Sequence, residues 1–335
     1  ILSTNINTPK ININMKNKIT IVLSIFLILA VLIVMSYDLF LGTEGKKDNQ
    51  YEYDLTELKK IDKSKICYSE IKQINPDSEK LYGIAIDTED NIYITTDTKV
   101  LIYNQNLELI QTIKTNDKAR CINIGSDGRI YLGMKNYLEV WDKSGTLISR
   151  WDTINNVARI TSIAVGETSV FIADAGNKVV HQYDTKGKFI NQFGKKDKEK
   201  GIPGLFIPSP YFDVLLGRDG ELWAINTGRH SFEAYDFEGN LKSSWTRTSM
   251  ELDGFSGCCN PSHVAMLSDG SFVTSEKGIE RVKIHEPSGD FKCVVAGPEQ
   301  FEEGTRGLDL AVNSKDQIFV LDPKKGLVRV FERKQ

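Results

Sequence analysis

The chain has no Gly-x-Ser-x-Gly elbow, no Gly-rich phosphate loop ahead of a helix and no His-Glu-x-x-His. These absences exclude the commonest serine-hydrolase, phosphate-cradling and zinc-protease sites, each of which needs that spacing to bring its groups together. Cys-x-x-Cys and His-x-x-x-His are missing too, so no ready-made metal spacing exists among five Cys and four His. Charge of one sign is also lacking. The 42 Lys and Arg stand against 45 Asp and Glu, a formal net of −3, and without clustered basic residues nucleic acid is not an expected partner.

Long apolar runs are confined to one place. Ile19 to Met35 is interrupted only by Thr20 and Ser24 and is preceded by Lys16 and Lys18. As a helix it would be about 25 Å long. Residues 1–14 read as an unstructured upstream extension before Met15, and Ser36-Tyr37-Asp38-Leu39-Phe40-Leu41 offers no small-x-small cleavage site. The expectation is an uncleaved signal anchor, a transmembrane helix over 15–41. The flanking lysines orient it with the rest of the chain on the extracytoplasmic, periplasmic or extracellular, side of a cell membrane. Residues 42–65 are polar and read as a stalk.

What fills the remainder is a six-fold repeat over 66–335. Each copy has a short apolar strand, a turn and a second strand, and several continue into an aromatic-Asp-x-x-Gly hairpin. The second strands begin near Asn91, Arg129, Ser169, Glu221, Ser271 and Gln317, spaced by 38, 40, 52, 50 and 46 residues. One four-stranded propeller blade needs about 40–50. The sixth copy runs out after its third strand, Leu327–Phe331, whereas a lone strand, Ile66–Ile74, precedes the first copy. The pattern therefore predicts an all-β, six-bladed β-propeller with the N-terminal strand closing the last blade. Trp141, Trp151, Trp223 and Trp245 fall on strands, where blade packing accounts for them.

The stretch Ala173-Asp174-Ala175-Gly176-Asn177-Lys178-Val179-Val180-His181-Gln182-Tyr183-Asp184-Thr185-Lys186-Gly187-Lys188-Phe189 resembles the NHL repeat, and the other copies resemble it more loosely. Gly257-Cys258-Cys259-Asn260-Pro261 paired with Ser275-Glu276-Lys277-Gly278 is similar to a bacterial exported subgroup of these propellers. The resemblance implies a fold. Its members include scaffolds, binding modules and a few enzymes, so it implies no single activity.

In a propeller, the loops leading into inner strands and the turns between second and third strands crowd one face around the central channel. Asp174, Asn177, Asn226, Arg229, His230, Asn260, His263, Glu276, Lys277 and Asp322 are the candidates for a ligand-binding face there. Cys121 reads as a small buried core residue, and so does Cys67 on the closing strand. For Cys258, Cys259 and Cys293 three readings stay open. One of the adjacent pair bridges Cys293, or the pair bridges itself, or the thiols join His263 in a Zn or Cu site. Asp174, Glu276 and Asp322 could instead hold Ca²⁺, or simply cap loop amides. The expected function is a membrane-tethered binding module, without catalysis, for a protein or small-molecule ligand. The alternative is a metal- or thiol-dependent enzyme or redox component built on Cys258, Cys259, His263 and Cys293.

Overall fold

The computed structural model describes residues 15–40, 55–76, 80–199 and 203–335, in two compact units, Ile1–Asp54 and Leu55–Gln335. The upstream extension 1–14 and the stalk through residue 54 lie outside the described residues. In the first unit Met15–Phe40 is an α-helix with Ile19, Leu23, Phe26 and Ile33 exposed. Among the described residues no helix is long and apolar enough to cross a membrane. The helix expected over 15–41 is thus present as Met15–Phe40, and no membrane span is found in it among the described residues.

The second unit is the six-bladed propeller. Each of six sheets has four antiparallel strands, and five run in chain order. The sixth combines Tyr68–Ile74 with Leu327–Arg333, Ile318–Asp322 and Asp309–Val312. The closing pair is in register as Tyr68↔Arg333, Ser69↔Glu332 and Glu70↔Phe331, with a bulge before Lys72↔Val330. The two ends of the propeller are thereby joined by main-chain hydrogen bonds, and the ring has no open seam.

Burial follows from position in a blade. The second strands Ile92–Thr95, Ser169–Asp174 and Phe272–Ser275 are buried throughout, since neighbouring blades cover both faces. Outer strands such as Leu109–Lys114 keep mostly exposed side chains. The repeated hairpin glycine has a packing cause as well as a backbone one. Gly187 (φ +89) and Gly289 (φ +87) sit against Trp151 and Trp245 of the preceding blade, where an added Cβ would come within 2.8 and 2.5 Å of the indole. The hairpin glycine, at the end of Tyr183-Asp184-Thr185-Lys186-Gly187 and of His285-Glu286-Pro287-Ser288-Gly289, is thus a contact by which one blade locks onto the previous one.

The C-terminal part of the expected stalk belongs to the propeller. Lys59 pairs with Glu303 at 2.7 Å, and the Cys67 N–H donates to the Val294 carbonyl at 3.0 Å. Cys67 then forms a disulfide with Cys293 on the outer strand of blade five. Two expectations are corrected here. Cys67 is not a bland core thiol, and Cys293 is not available to Cys258 or Cys259. The closing strand lies along the edge of blade five as well as in blade six, which brings these Cα atoms to 6.0 Å, within the range a disulfide spans.

Candidate functional site

Register between first and second strands identifies one equivalent position in every blade. Gly83 pairs with Thr95, Cys121 with Gly133, Ser162 with Ala173, His263 with Ser275 and Asp309 with Leu321. Asp213 takes the same place in blade four, its carbonyl accepting from the Ile225 N–H at 3.0 Å. Going round the channel, blades one to three present Gly, Cys and Ser, and blades four to six present Asp, His and Asp. One half of the ring is small and the other half carries the chemistry.

That half is a tight group. The donor atoms of Asp213, His263 and Asp309 all lie within 4.8 Å of one another. His263 Nδ1 is 3.3 Å from Asp309 and 3.6 Å from Asp213. Both carboxylates are themselves fixed by the neighbouring blade. The Ile84 N–H donates to Asp309 at 3.0 Å and the Val264 N–H to Asp213 at 2.9 Å, so the carboxylates stitch adjacent inner strands together while facing the imidazole. Burial opposes charge on His263, but the two carboxylates outweigh it and raise its pKa to about 10. The group borders a channel cavity of about 180 Å³ lined by all six inner strands. Cys121, on the opposite side, is buried, and burial pushes its thiol far up.

Nε2 of His263 points away from the carboxylates, toward Gly307, where a Cβ would stand 3.9 Å from it. Tyr211 packs its ring edge-on, 6.1 Å from the imidazole, and Lys277 Nζ lies 4.7 Å from the Tyr211 ring centre. Asn260 fastens this corner by donating to the Ser256 and Lys277 carbonyls and accepting from the Lys277 N–H. His263, Asn260 and Lys277 are therefore brought together at the channel mouth.

The other expected face residues go elsewhere. Asp174 accepts from the Arg159, Gly176 and Asn177 amides, the Asn177 side chain and His181, a loop cap and not an open ligand. Asn226 donates to buried Glu233, Asp322 pairs with Arg329 at 3.1 Å, and Glu276 pairs with Arg281 and Lys283. Asn226, Asp322 and Asp174 end a second strand and Glu276 follows one, and from that position the side chain turns toward the third strand of its own blade. Asp174, Glu276 and Asp322 thus do not meet to hold Ca²⁺. His230 binds Thr248 and the Gly257 carbonyl. Arg229 lines an outer groove of about 1270 Å³ between blades three and four. Of the four carboxylates that line that groove, Asp197, Glu199, Glu233 and Glu238, the buried one, Glu233, is already taken by Asn226, Ser231 and Tyr235. Cys258 and Cys259 are free thiols, and with Cys293 in the disulfide the four-residue Cys/His metal group is not assembled.

No family model matches the chain, and no curated protein matches it in sequence. Solved structures do. A streptogramin B lyase superposes with a TM-score of 0.57 at 11% identity, covering 80% of this chain and 98% of the lyase. Virginiamycin B lyase from Staphylococcus aureus gives 0.53 at 14% identity, covering 76% of this chain and 81% of the lyase. Its catalytically inactive His-to-Ala variant with quinupristin gives 0.52 at 14% identity, over 78% and 88% of the two chains. At such identities the likeness establishes the six-bladed propeller and nothing finer.

Proposed function

We propose that the protein is an NHL-type ligand-binding propeller whose channel mouth captures the oxygen-bearing tip, a carboxylate or carbonyl, of a small molecule or peptide. The observation that carries this is the orientation of His263. Its Nδ1 side is held by Asp309 and Asp213, which leaves Nε2 as a fixed donor at the mouth, where the Tyr211 ring packs between the imidazole and the Lys277 ammonium. A cavity of about 180 Å³ suits the tip of a ligand, since pockets that enclose a whole drug-sized molecule run to about 300–1,000 Å³.

Thermal melts with acetate and N-acetylglycine as probes test the reading. Near a hundredfold excess over Kd, a ligand specific to the native state adds about 2.7 kcal/mol. In a domain of this size that raises Tm by several degrees. The gain is expected to vanish in His263→Gln and to shrink in Lys277→Met. Wild-type protein that gains nothing from either probe would remove the proposal.

A second reading has its own support. Three donors within 4.8 Å, one imidazole and two carboxylates, could hold a divalent transition ion once the imidazole proton left. Such an ion would serve a metal-dependent enzyme on this fold. One equivalent of transition metal per chain in elemental analysis, lost in Asp213→Asn, would favour it over the first.

The proposal places the propeller outside the cytoplasm, with the N-terminal helix as signal anchor. Its support is the lysine-flanked apolar run with exposed Ile19, Leu23 and Phe26, and a disulfide that needs an oxidising compartment. Alkaline carbonate extraction of membranes should leave the full chain in the pellet. Release into the supernatant would eliminate the anchor.

A further inference from the structure

Two nucleophilic side chains at the channel mouth have no part in the reading above. Cys258 and Cys259 occupy the turn that leads into His263, with their Sγ atoms 3.1 Å apart. Neither is spent on structural cross-linking, because Cys67 takes Cys293. Cys258 is exposed and Cys259 is buried. The turn is held on both sides: Asn260 binds the Ser256 carbonyl and both main-chain groups of Lys277, and His230 binds the Gly257 carbonyl. A turn pinned this way keeps the two thiols on the same side.

Their environments differ in the sense that a two-step exchange requires. Burial disfavours charge on Cys259, but the polar groups nearest it, the Ser209 hydroxyl, Cys258 and Lys277, prevail and lower its pKa. Cys258, hydrogen-bonded to Cys259 and close to its negative charge, is raised. The exposed Cys258 sulfur can be reached by a reagent from solvent, and the buried Cys259 sulfur lies 3.1 Å from it. These are the requirements for an attacking and a resolving thiol.

We propose that Cys258 and Cys259 are a thiol–disulfide exchange pair that reacts with small-molecule disulfides at the channel mouth. In the first step the Cys258 thiolate attacks one sulfur of the incoming disulfide. That bond breaks, one thiolate departs and takes up a proton, and Cys258 carries a mixed disulfide. In the second step the Cys259 thiolate attacks Cys258 Sγ, expels the second thiol and closes a Cys258–Cys259 bond. Two cysteine thiols are oxidised, one external disulfide is reduced to two thiols, and the two cysteine protons end on those products. Oxidation also removes the ionisable Cys259 thiol near Lys277. If the mouth-donor role assigned above holds, ligand binding should then depend on redox state; the exchange chemistry itself does not rest on that role.

The test uses the full chain with oxidised glutathione, quenched with N-ethylmaleimide and read by peptide mass. The peptide bearing both cysteines is expected two hydrogens lighter, with no alkyl group and no glutathione. Cys259→Ser should trap glutathione on Cys258, and Cys258→Ser should leave Cys259 without adduct. Wild-type protein that stops at a stable glutathione adduct, or that keeps both cysteines alkylatable in excess oxidant, would overturn the proposal. Because these readings need no channel ligand, a failure of the ligand-binding reading leaves them intact, and the reverse also holds.

Discussion

Replacing Cys67 and Cys293 together with alanine is expected to lower stability by about 5 kcal/mol, the loop-entropy value for a cross-link of this length. The sequence separation is 226 residues, so the bond closes nearly the whole propeller. In a domain of this size the loss corresponds to a fall in Tm on the order of 10 °C. The position adds to the effect. The disulfide ties the strand Tyr68–Ile74 to blade five while main-chain hydrogen bonds tie it to blade six. Without the bond, blade five holds that segment only through the Cys67–Val294 main-chain contact and apolar packing, at the edge where the ring would open. Urea denaturation of the double variant beside the parent, both in the absence of reductant, measures the loss. A difference under about 1 kcal/mol would show that the main-chain seam suffices alone.

The same closing strand shows what the sequence could and could not reveal. Its pairing with Leu327–Arg333 was legible, because a sixth copy lacking its fourth strand and an orphan strand at the other end can satisfy each other. Its disulfide was not legible, because that partner belongs to the next blade round the ring. A linear repeat aligns strands within blades but says nothing of which outer edge lies beside which. The site divides in the same way. His263, Asn260 and Lys277 were visible from the unusual fifth copy. Asp213 and Asp309 carry no such signal, although the inner-strand position opposite the fourth core residue of each second strand reads Gly83, Cys121, Ser162, Asp213, His263 and Asp309 round the ring. The long Pro-containing link before Phe212 hides that alignment, since no fixed spacing leads to Asp213. Conversely, Asp174, Glu276 and Asp322 were placed on the correct turn yet facing the wrong way. Turn position is encoded by spacing, whereas side-chain direction is set by a third-strand partner, respectively His181, Lys283 and Arg329.

Glu276→Ala should be the most damaging single substitution inside blade five, costing about 3–5 kcal/mol because it leaves buried cations without their counter-charge. Glu276 bonds Arg281 at 2.8 Å and lies 2.7 Å from Lys283, with all three side chains at most 1% exposed. The cations also hold the link that leads to the Cys258–Cys259 turn. Arg281 donates to the Glu251 carbonyl, and Lys283 donates to those of Leu252 and Gly254. Burial, with help from Arg281 and against the pull of Glu276, already lowers the Lys283 pKa to about 8. A lysine depressed in the folded state binds fewer protons there than in the unfolded chain. Its penalty is therefore fully present below about pH 8 and is relieved as pH rises toward the unfolded value of 10.5. Removing Glu276 takes away the one strong opposing charge, so the relief begins at lower pH in the variant. Urea midpoints should show a larger loss at pH 6 than at pH 9, where the gap to the parent narrows. A gap that stays constant with pH would mean that Lys283 does not titrate there. A loss under about 1 kcal/mol at pH 6 would mean that the link's carbonyls alone compensate both cations.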